Sequence, residues 1–299
     1  MQNQHATTDH SRPLLGARVM VTRPANGPDV AFGHAGHVAD SVPLLCRSSE
    51  VCDPSPGTAC KQAVAHSGED PLAVRLRAMG ADVIVQPAIE ISPPADWRPV
   101  DDALARLHEF DWLVFSSANG VRCLWERLLE RKPDLRRFPR LAAIGPGTAD
   151  ELARYGWQAD LVPNQFRAES LAEALAPEAA GKRFLLARAS RGREVLAEQL
   201  TAAGAVVEQV VVYTSTDVTE ADPKTAVLLR AGKIDWITVT SSAIARSLTR
   251  LFGDDLRRAK LASISPLTSS VLRELGYQPA AEAAEYTLVG LTAAIVQHR

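Results

Sequence analysis

The sequence predicts an α/β protein of two doubly wound parallel-sheet domains with a ligand cleft between them. Three observations carry that prediction. Apolar strand-like runs alternate with helix-spaced segments along almost all of the patterned chain, the signature of βαβ units. The pattern occurs twice: Leu76, Ala78, Gly80 and Ala81 match Leu200, Ala202, Gly204 and Ala205 at an offset of 124 residues. Finally, 299 residues suit two average domains, each able to bury its own core.

The elements follow in order. After a polar tail, GARVMVTRP (16–24) reads as a short strand ending in Thr22 and Arg23. Periodicity then vanishes as far as about Gly68, where Gly, Pro, Ser, His and Cys dominate, a composition of loop or disorder. It returns as helix then strand in PLAVRLRAMGADVIVQPAIEI (71–91). Val100–Leu107 is expected to be helical, DWLVFSS (111–117) a buried strand, and Gly120–Glu130 a helix. LAAIG (141–145) is a strand leading into a helix from Thr148 to Tyr155; Leu161–Val162 is a short strand and Ala168–Leu175 a helix. The run Phe184–Ala187 begins a strand, basic turn, helix, strand unit. Its helix carries Val195, Leu196, Leu200 and Ala203, stops at Gly204, and is followed by a β-branched run, Val206–Val212, ending on Tyr213.

The repeat extends further. DWLVFSSANGV (111–121) falls on DWITVTSSAIA (235–245) at the offset of 124, and LAAIGPGTADELARYG (141–156) falls on LASISPLTSSVLRELG (261–276) at 120. It also measures the aperiodic segment: Gly16 to Gly80 spans 64 positions where Gly181 to Gly204 spans 23, an excess of 41. Loop-closure entropy grows only logarithmically, so a strand-to-helix loop tolerates such an insert, which is expected at about 26–66 and expected to be mobile.

Composition excludes several function classes. Net charge of −2 and a pI near 6.4 provide no global basic field for nucleic acid or an anionic membrane. Neither a signal-peptide core nor an apolar run of spanning length is present, so a cytoplasmic protein is expected. Cys46, Cys52, Cys60 and Cys123 are too few to staple the chain, and the first three lack structural zinc spacing despite His34, His37 and His66 nearby, so no metal is expected. GPGTAD has Asp150 where a dinucleotide fingerprint needs its third glycine, and GxSxG and HExxH are absent.

What remains is anion chemistry at strand ends. Arg188, Arg191 and Arg193 fall at the carboxyl end of a strand, where α/β sheets bind ligands, and suggest a carboxylate or phosphate. Four other strand ends run straight into helices: Ser116-Ser117-Ala118-Asn119, Gly145-Pro146-Gly147-Thr148, Thr240-Ser241-Ser242 and Ser265-Pro266-Leu267-Thr268. Each can present amide N–H groups and a hydroxyl to a carboxylate, or serve only as an N-cap. Tyr213 is the one candidate proton donor at a strand end, or else a tyrosine packed at an interdomain crossing.

In this order and spacing, VMVTRP, GADVIVQPAIEI, DWLVFSSANGVRCL, LAAIGPGTADEL, LVPNQFRAESLAEAL, GKRFLLARASRGREVL, AAGAVVEQVVVYTS, DWITVTSSAIARSL, SISPLTSSVLRELGY and EYTLVGL resemble the uroporphyrinogen-III synthase family. The resemblance covers nearly everything except the tail and the insert. It implies two α/β domains joined by a two-stranded connection: residues 1–87 with 215–299, and 93–208, crossing at Gln86–Ile91 and Gln209–Thr214. It also implies a reaction: hydroxymethylbilane, an octacarboxylate, is closed with loss of water and inversion of its last pyrrole ring through a spiro-pyrrolenine, without a cofactor, on the way to heme, siroheme and cobalamin. Tyr213 matches the family tyrosine proposed to assist hydroxyl departure. Thr148, Thr268, Ser117 and Ser241 match residues thought to position carboxylates, with Arg23, Arg188 and Arg191 as further substrate contacts. A monomer is expected. Ser265 departs from the family's usual glycine, and the insert follows Arg23 directly. A non-catalytic two-lobed tetrapyrrole or polyanion binder stays open beside the enzyme.

Overall fold

The computed structural model describes residues 12–24, 69–133 and 135–299. The expected insert at about 26–66, with Cys46, Cys52, Cys60, His34, His37 and His66, lies outside the described residues.

In chain order the elements are β1 (Arg18–Val21), α1 (Pro71–Ala78), β2 (Asp82–Val85), β3 (Ile89–Ser92), α2 (Arg98–Ala105), β4 (Trp112–Phe115), α3 (Ala118–Arg131), β5 (Arg140–Ala143), α4 (Pro146–Arg154) and α5 (Ala168–Leu175). They continue as β6 (Arg183–Ala189), α6 (Val195–Ala202), β7 (Val206–Asp217), α7 (Pro223–Arg230), β8 (Trp236–Val239), α8 (Ser242–Phe252), β9 (Lys260–Ser263), α9 (Pro266–Glu274), β10 (Ala281–Glu282) and α10 (Leu288–Gln297). The expected strand at Leu161–Val162 reduces to a single bridge from Leu161 to Ala142.

Two five-stranded sheets result, ordered β10-β9-β8-β1-β2 and β3-β7-β6-β4-β5. All pairings are parallel except β3 with β7, which is antiparallel. Side chains alternate across a strand, so each sheet needs cover on both faces. In the first sheet Val19, Val21, Trp236 and Ala262 pack under α1 and α10. Met20, Ile237, Val239 and Leu261 pack under α7, α8 and α9. In the second, Leu113, Phe115, Leu185 and Ala187 meet α2, α3 and α4, while Trp112, Val114, Phe184 and Leu186 meet α5 and α6. Gly80 and Gly204, matched by the repeat, both take positive φ (92° and 88°) just past α1 and α6, a conformation that glycine adopts without strain.

The chain reverses direction within each sheet, between β1 and β8 in the first and between β4 and β6 in the second. Open α/β sheets bind ligands at such reversals, beyond the strand C-termini. The two sheets are joined by β3 and β7. β7 is a 12-residue strand whose first part pairs β6 and whose last four residues, Thr214–Asp217, pair β3.

Candidate active site

Tyr213 reaches the site because of an irregularity in β7. Arg188 stands opposite Val211 but Ala189 stands opposite Tyr213, so β7 carries one extra residue there. A bulge of this kind re-aims the side chains that follow it. Val212 and Tyr213 consequently enter the same core beneath α2, α3 and α4, and Tyr213 is 7% exposed. In an unbulged ladder Val212 would stand opposite Ala189, and alternation would turn the next residue, Tyr213, to the opposite face, away from α3.

On α3 the phenol meets Ser117. The Ser117 hydroxyl lies 3.0 Å from the Tyr213 hydroxyl and also accepts the N–H of Gly120, capping the helix. The helix comes close to the sheet here: a Cβ on Gly120 would sit 3.3 Å from Ser117 Oγ and 3.4 Å from the Ala187 carbonyl. Burial raises the Tyr213 pKa above the ordinary phenol value; the Ser117 hydrogen bond lowers it, Cys123 raises it, and the charges of Arg122 and Arg191 lower it. The phenol therefore keeps its proton at neutral pH. Cys123, also buried in this core, is pushed up to about 12 by burial and carries no thiolate chemistry.

The other strand-end turns are helix starts. Ser241 caps α8 by accepting the N–H of Ile244 at 3.2 Å. Ser265 caps α9 by accepting the N–H of Thr268 at 3.3 Å, and its hydroxyl lies 3.1 Å from that of Thr268, which is buried. The start of α4 differs: Gly145 offers no side chain, and the buried Thr148 gives its N–H to the Gly145 carbonyl at 3.1 Å. Ser265 has a φ of −161°, extended backbone that any residue adopts, so serine there costs no strain. Gly145 is glycine for another reason, since a Cβ would stand 3.0 Å from Phe166 Cβ.

The arginines expected to face a ligand are already engaged. Arg23 sits 3.2 Å from the buried Asp70 carboxylate. Arg188 bonds Glu194 and Gln209, and Arg193 bonds Glu169. Arg191 bonds Asp217 at 2.7 Å and Ser215 Oγ at 3.1 Å. The physical reason is ordinary: with slightly more carboxylates than cations in the chain, a half-buried guanidinium finds an internal partner. Sequence reading missed these partners, and it missed Arg122, which donates to Asn119 Oδ1 at 2.9 Å on the first turns of α3. Its place in the SSANGVR turn was the available signal.

A pocket of about 480 Å³ lies at the other end of the first sheet's strands, bordered by Arg257, Arg258, Lys260 and Arg299. Arg257 and Arg258 end a 3-10 turn and Arg299 follows α10, positions where cations offset the negative ends of helices. It is remote from the strand C-termini and from Tyr213. Among the described residues no cluster of His, Cys, Asp and Glu is arranged for a metal, and no helix is long and apolar enough to cross a membrane.

Fold and site together define an α/β protein of two mostly parallel sheets whose strand ends carry a buried phenol and run into several helix N-termini. A family model described as Uroporphyrinogen-III synthase HemD matches residues 70–293. The chain belongs to the uroporphyrinogen-III synthase family. It is 38% identical over 237 residues to a uroporphyrinogen-III synthase of Synechococcus elongatus, covering 76% of this chain and 90% of that one. It is 31% identical over 220 residues to the uroporphyrinogen-III synthase of Escherichia coli, covering 71% and 89%. In fold it is similar to a uroporphyrinogen III synthase of Thermus thermophilus (TM-score 0.52, 19% identity, 76% of this chain and 92% of the other). The enzyme of Helicobacter pylori is equally similar (TM-score 0.51, 20% identity, 73% and 93%).

Proposed function

We propose that the protein closes hydroxymethylbilane to uroporphyrinogen III, with Tyr213 as proton donor and strand-end turns as carboxylate holders. The observation that carries this reading is the bulge in β7, which seats Tyr213 against Ser117 at the reversal point of the second sheet. On this reading residues 1–87 with 215–299 form one domain and 93–208 the other, and the bilane lies between them.

The chemistry asks little of the side chains. The departing hydroxyl takes a proton, from the Tyr213 phenol, and leaves as water, giving an azafulvene. The substituted end of ring D attacks it to form a spiro-pyrrolenine, which fragments and recloses in the inverted sense before a proton is lost and the ring is restored. A phenol with raised pKa is a weak acid, so acid catalysis supplies a modest share of the rate. The larger task is holding both ends of a flexible chain together so that the spiro route outruns simple end-to-end closure. Amide N–H groups at the starts of α3, α4, α8 and α9 suit the substrate's carboxylates, with Thr148, Thr268, Ser117 and Ser241 fixing those turns. Arg191 is the guanidinium nearest in role, close enough to influence the phenol; Arg23 and Arg188 bear on the strand ends through their internal partners. No cofactor enters the scheme. The protein acts as a cytoplasmic monomer on a small molecule, without nucleic acid or membrane.

The test generates hydroxymethylbilane in situ, adds the purified protein, oxidises the products and separates the uroporphyrin isomers. Isomer III in proportion to protein is expected. Isomer I alone, from folded protein, would leave a tetrapyrrole binder in place of the enzyme.

A further inference from the structure

Asp217 receives two cations, one on each carboxylate oxygen. Arg191, in the turn after β6, gives its Nη1 proton to Asp217 Oδ1 at 2.7 Å; Arg250, on α8, bonds Oδ2. β6 belongs to the second sheet and α8 covers the first, so the triad spans the two lobes. Asp217 stands opposite Ile89 at the last pairing of the two-stranded connection, and the next N–H, of Val218, bonds the Ala88 carbonyl at 3.0 Å. Ser215 holds the rear of the Arg191 guanidinium through its hydroxyl. Arg250 is not a product of the repeat: the equivalent position of α3, at the offset of 124, is Glu126. A cation was placed here by this lobe alone, where it meets the connection.

We infer that Asp217 is a positioning residue: it ties the lobes through Arg191 and Arg250 in the free protein, and releases Arg191 to a substrate carboxylate on binding. The side chains of Arg191, Asp217 and Arg250 are 35%, 26% and 61% exposed, so each pair is weak enough for an incoming carboxylate to displace. The exchange conserves charge: Arg191 trades one carboxylate for another, and Asp217 keeps Arg250. Substrate capture and lobe orientation are thereby coupled through a single side chain. The second half of the inference rests on the proposed reaction; the first does not.

The experiment compares wild type, Asp217→Asn and Arg250→Met. Labels at positions 173 and 297, exposed on α5 and at the last residue of α10, report the distance between lobes in the substrate-free protein. Both variants are expected to broaden that distance distribution while circular dichroism stays unchanged. In steady state Asp217→Asn should lower KM by about 2- to 5-fold, since Arg191 no longer has to be taken from a carboxylate, and should lower kcat. Arg250→Met should lower kcat without lowering KM, because its Arg191 is still held. An unchanged distribution in both variants overturns the tether, and an unchanged or raised KM in Asp217→Asn overturns the exchange. Wild type yielding only isomer I, with distances that respond to both substitutions, would sink the synthase reading and keep the tether.

Discussion

The two serines that end β4 and β8 occupy matched positions of the repeat and do the same structural work, yet only one faces a phenol. Ser117 and Ser241 each cap the following helix; Ser117 alone also meets Tyr213. The starts of α4 and α9 diverge in the same manner. Gly145 leaves its turn without a side-chain cap because Phe166 fills the space, whereas Ser265 takes the Thr268 N–H for itself. The repeat thus supplied two matched sets of helix N-termini, and the buried phenol packs against only one of them. On the proposed function, holding would be shared between the lobes and proton donation would come from one side.

Removing the phenol should break the asymmetry most. Tyr213→Phe is expected to lower kcat by on the order of 100-fold or less, the low end of general-acid effects, with isomer III still the main product. Complete loss of turnover in a folded variant would show that acid catalysis dominates over holding. Next in size, Gly145→Ser should destabilise the protein by about 1–3 kcal/mol through its clash with Phe166. The reverse change in the first lobe, Ser265→Gly, should cost only a few tenths of a kcal/mol, about what a serine cap loses to glycine. Denaturant midpoints measure both, and equal costs would mean that the turns are interchangeable.

A finer comparison uses the capping serines. Ser117→Ala and Ser241→Ala should each cost about 1 kcal/mol as lost caps. Only Ser117→Ala should move the Tyr213 titration, and it should move upward, because the lost hydrogen bond favoured the phenolate. With Tyr213 as the proposed proton donor, the alkaline limb of activity, already displaced above the usual phenol range, should shift to still higher pH. The smallest effect concerns Glu126, whose match in α8 is the cation Arg250. Burial is the first cause raising the Glu126 pKa. A carboxyl whose folded pKa is raised favours the native state at low pH and loses that contribution as pH rises through the folded pKa. Glu126→Gln should therefore gain about 0.5 kcal/mol at pH 7 and nothing below the ordinary glutamate range, a difference that melting curves at the two pH values can detect.

Much of this was legible from residues alone. The helix over Ala168–Leu175 was read to its ends, since Leu171, Ala172 and Leu175 are apolar at helical spacing and Pro177 follows at once. The strands around DWLVFSS and DWITVTSS were legible because full burial demands unbroken apolar runs. Tyr213, Ser117 and Ser241 stood out by their place at strand ends and the resemblance pointed to the same residues, whereas their contacts depend on how the strands meet. What stayed hidden depends on tertiary geometry. The bulge at Val212 has no sequence mark, since Val210 to Val212 reads as uniform strand. The β7 ladder continues four residues beyond Tyr213 only because β3 lies there to pair with it. Arginine partners such as Asp217 come from 26 residues away in sequence, beyond the reach of local pattern.

Arg23 and Asp70 stand on either side of residues 25–68 and touch each other, while Asp70 also caps α1 through the N–H groups of Leu72 and Ala73. The outgoing and returning chain are thus stitched together at one point of the first lobe. For an engineer this junction is a cloning port: a reporter domain or affinity module spliced between these two residues begins and ends at the same spot. For evolution it is a contact that holds the end of β1 to the start of α1 without drawing on any residue between 25 and 68.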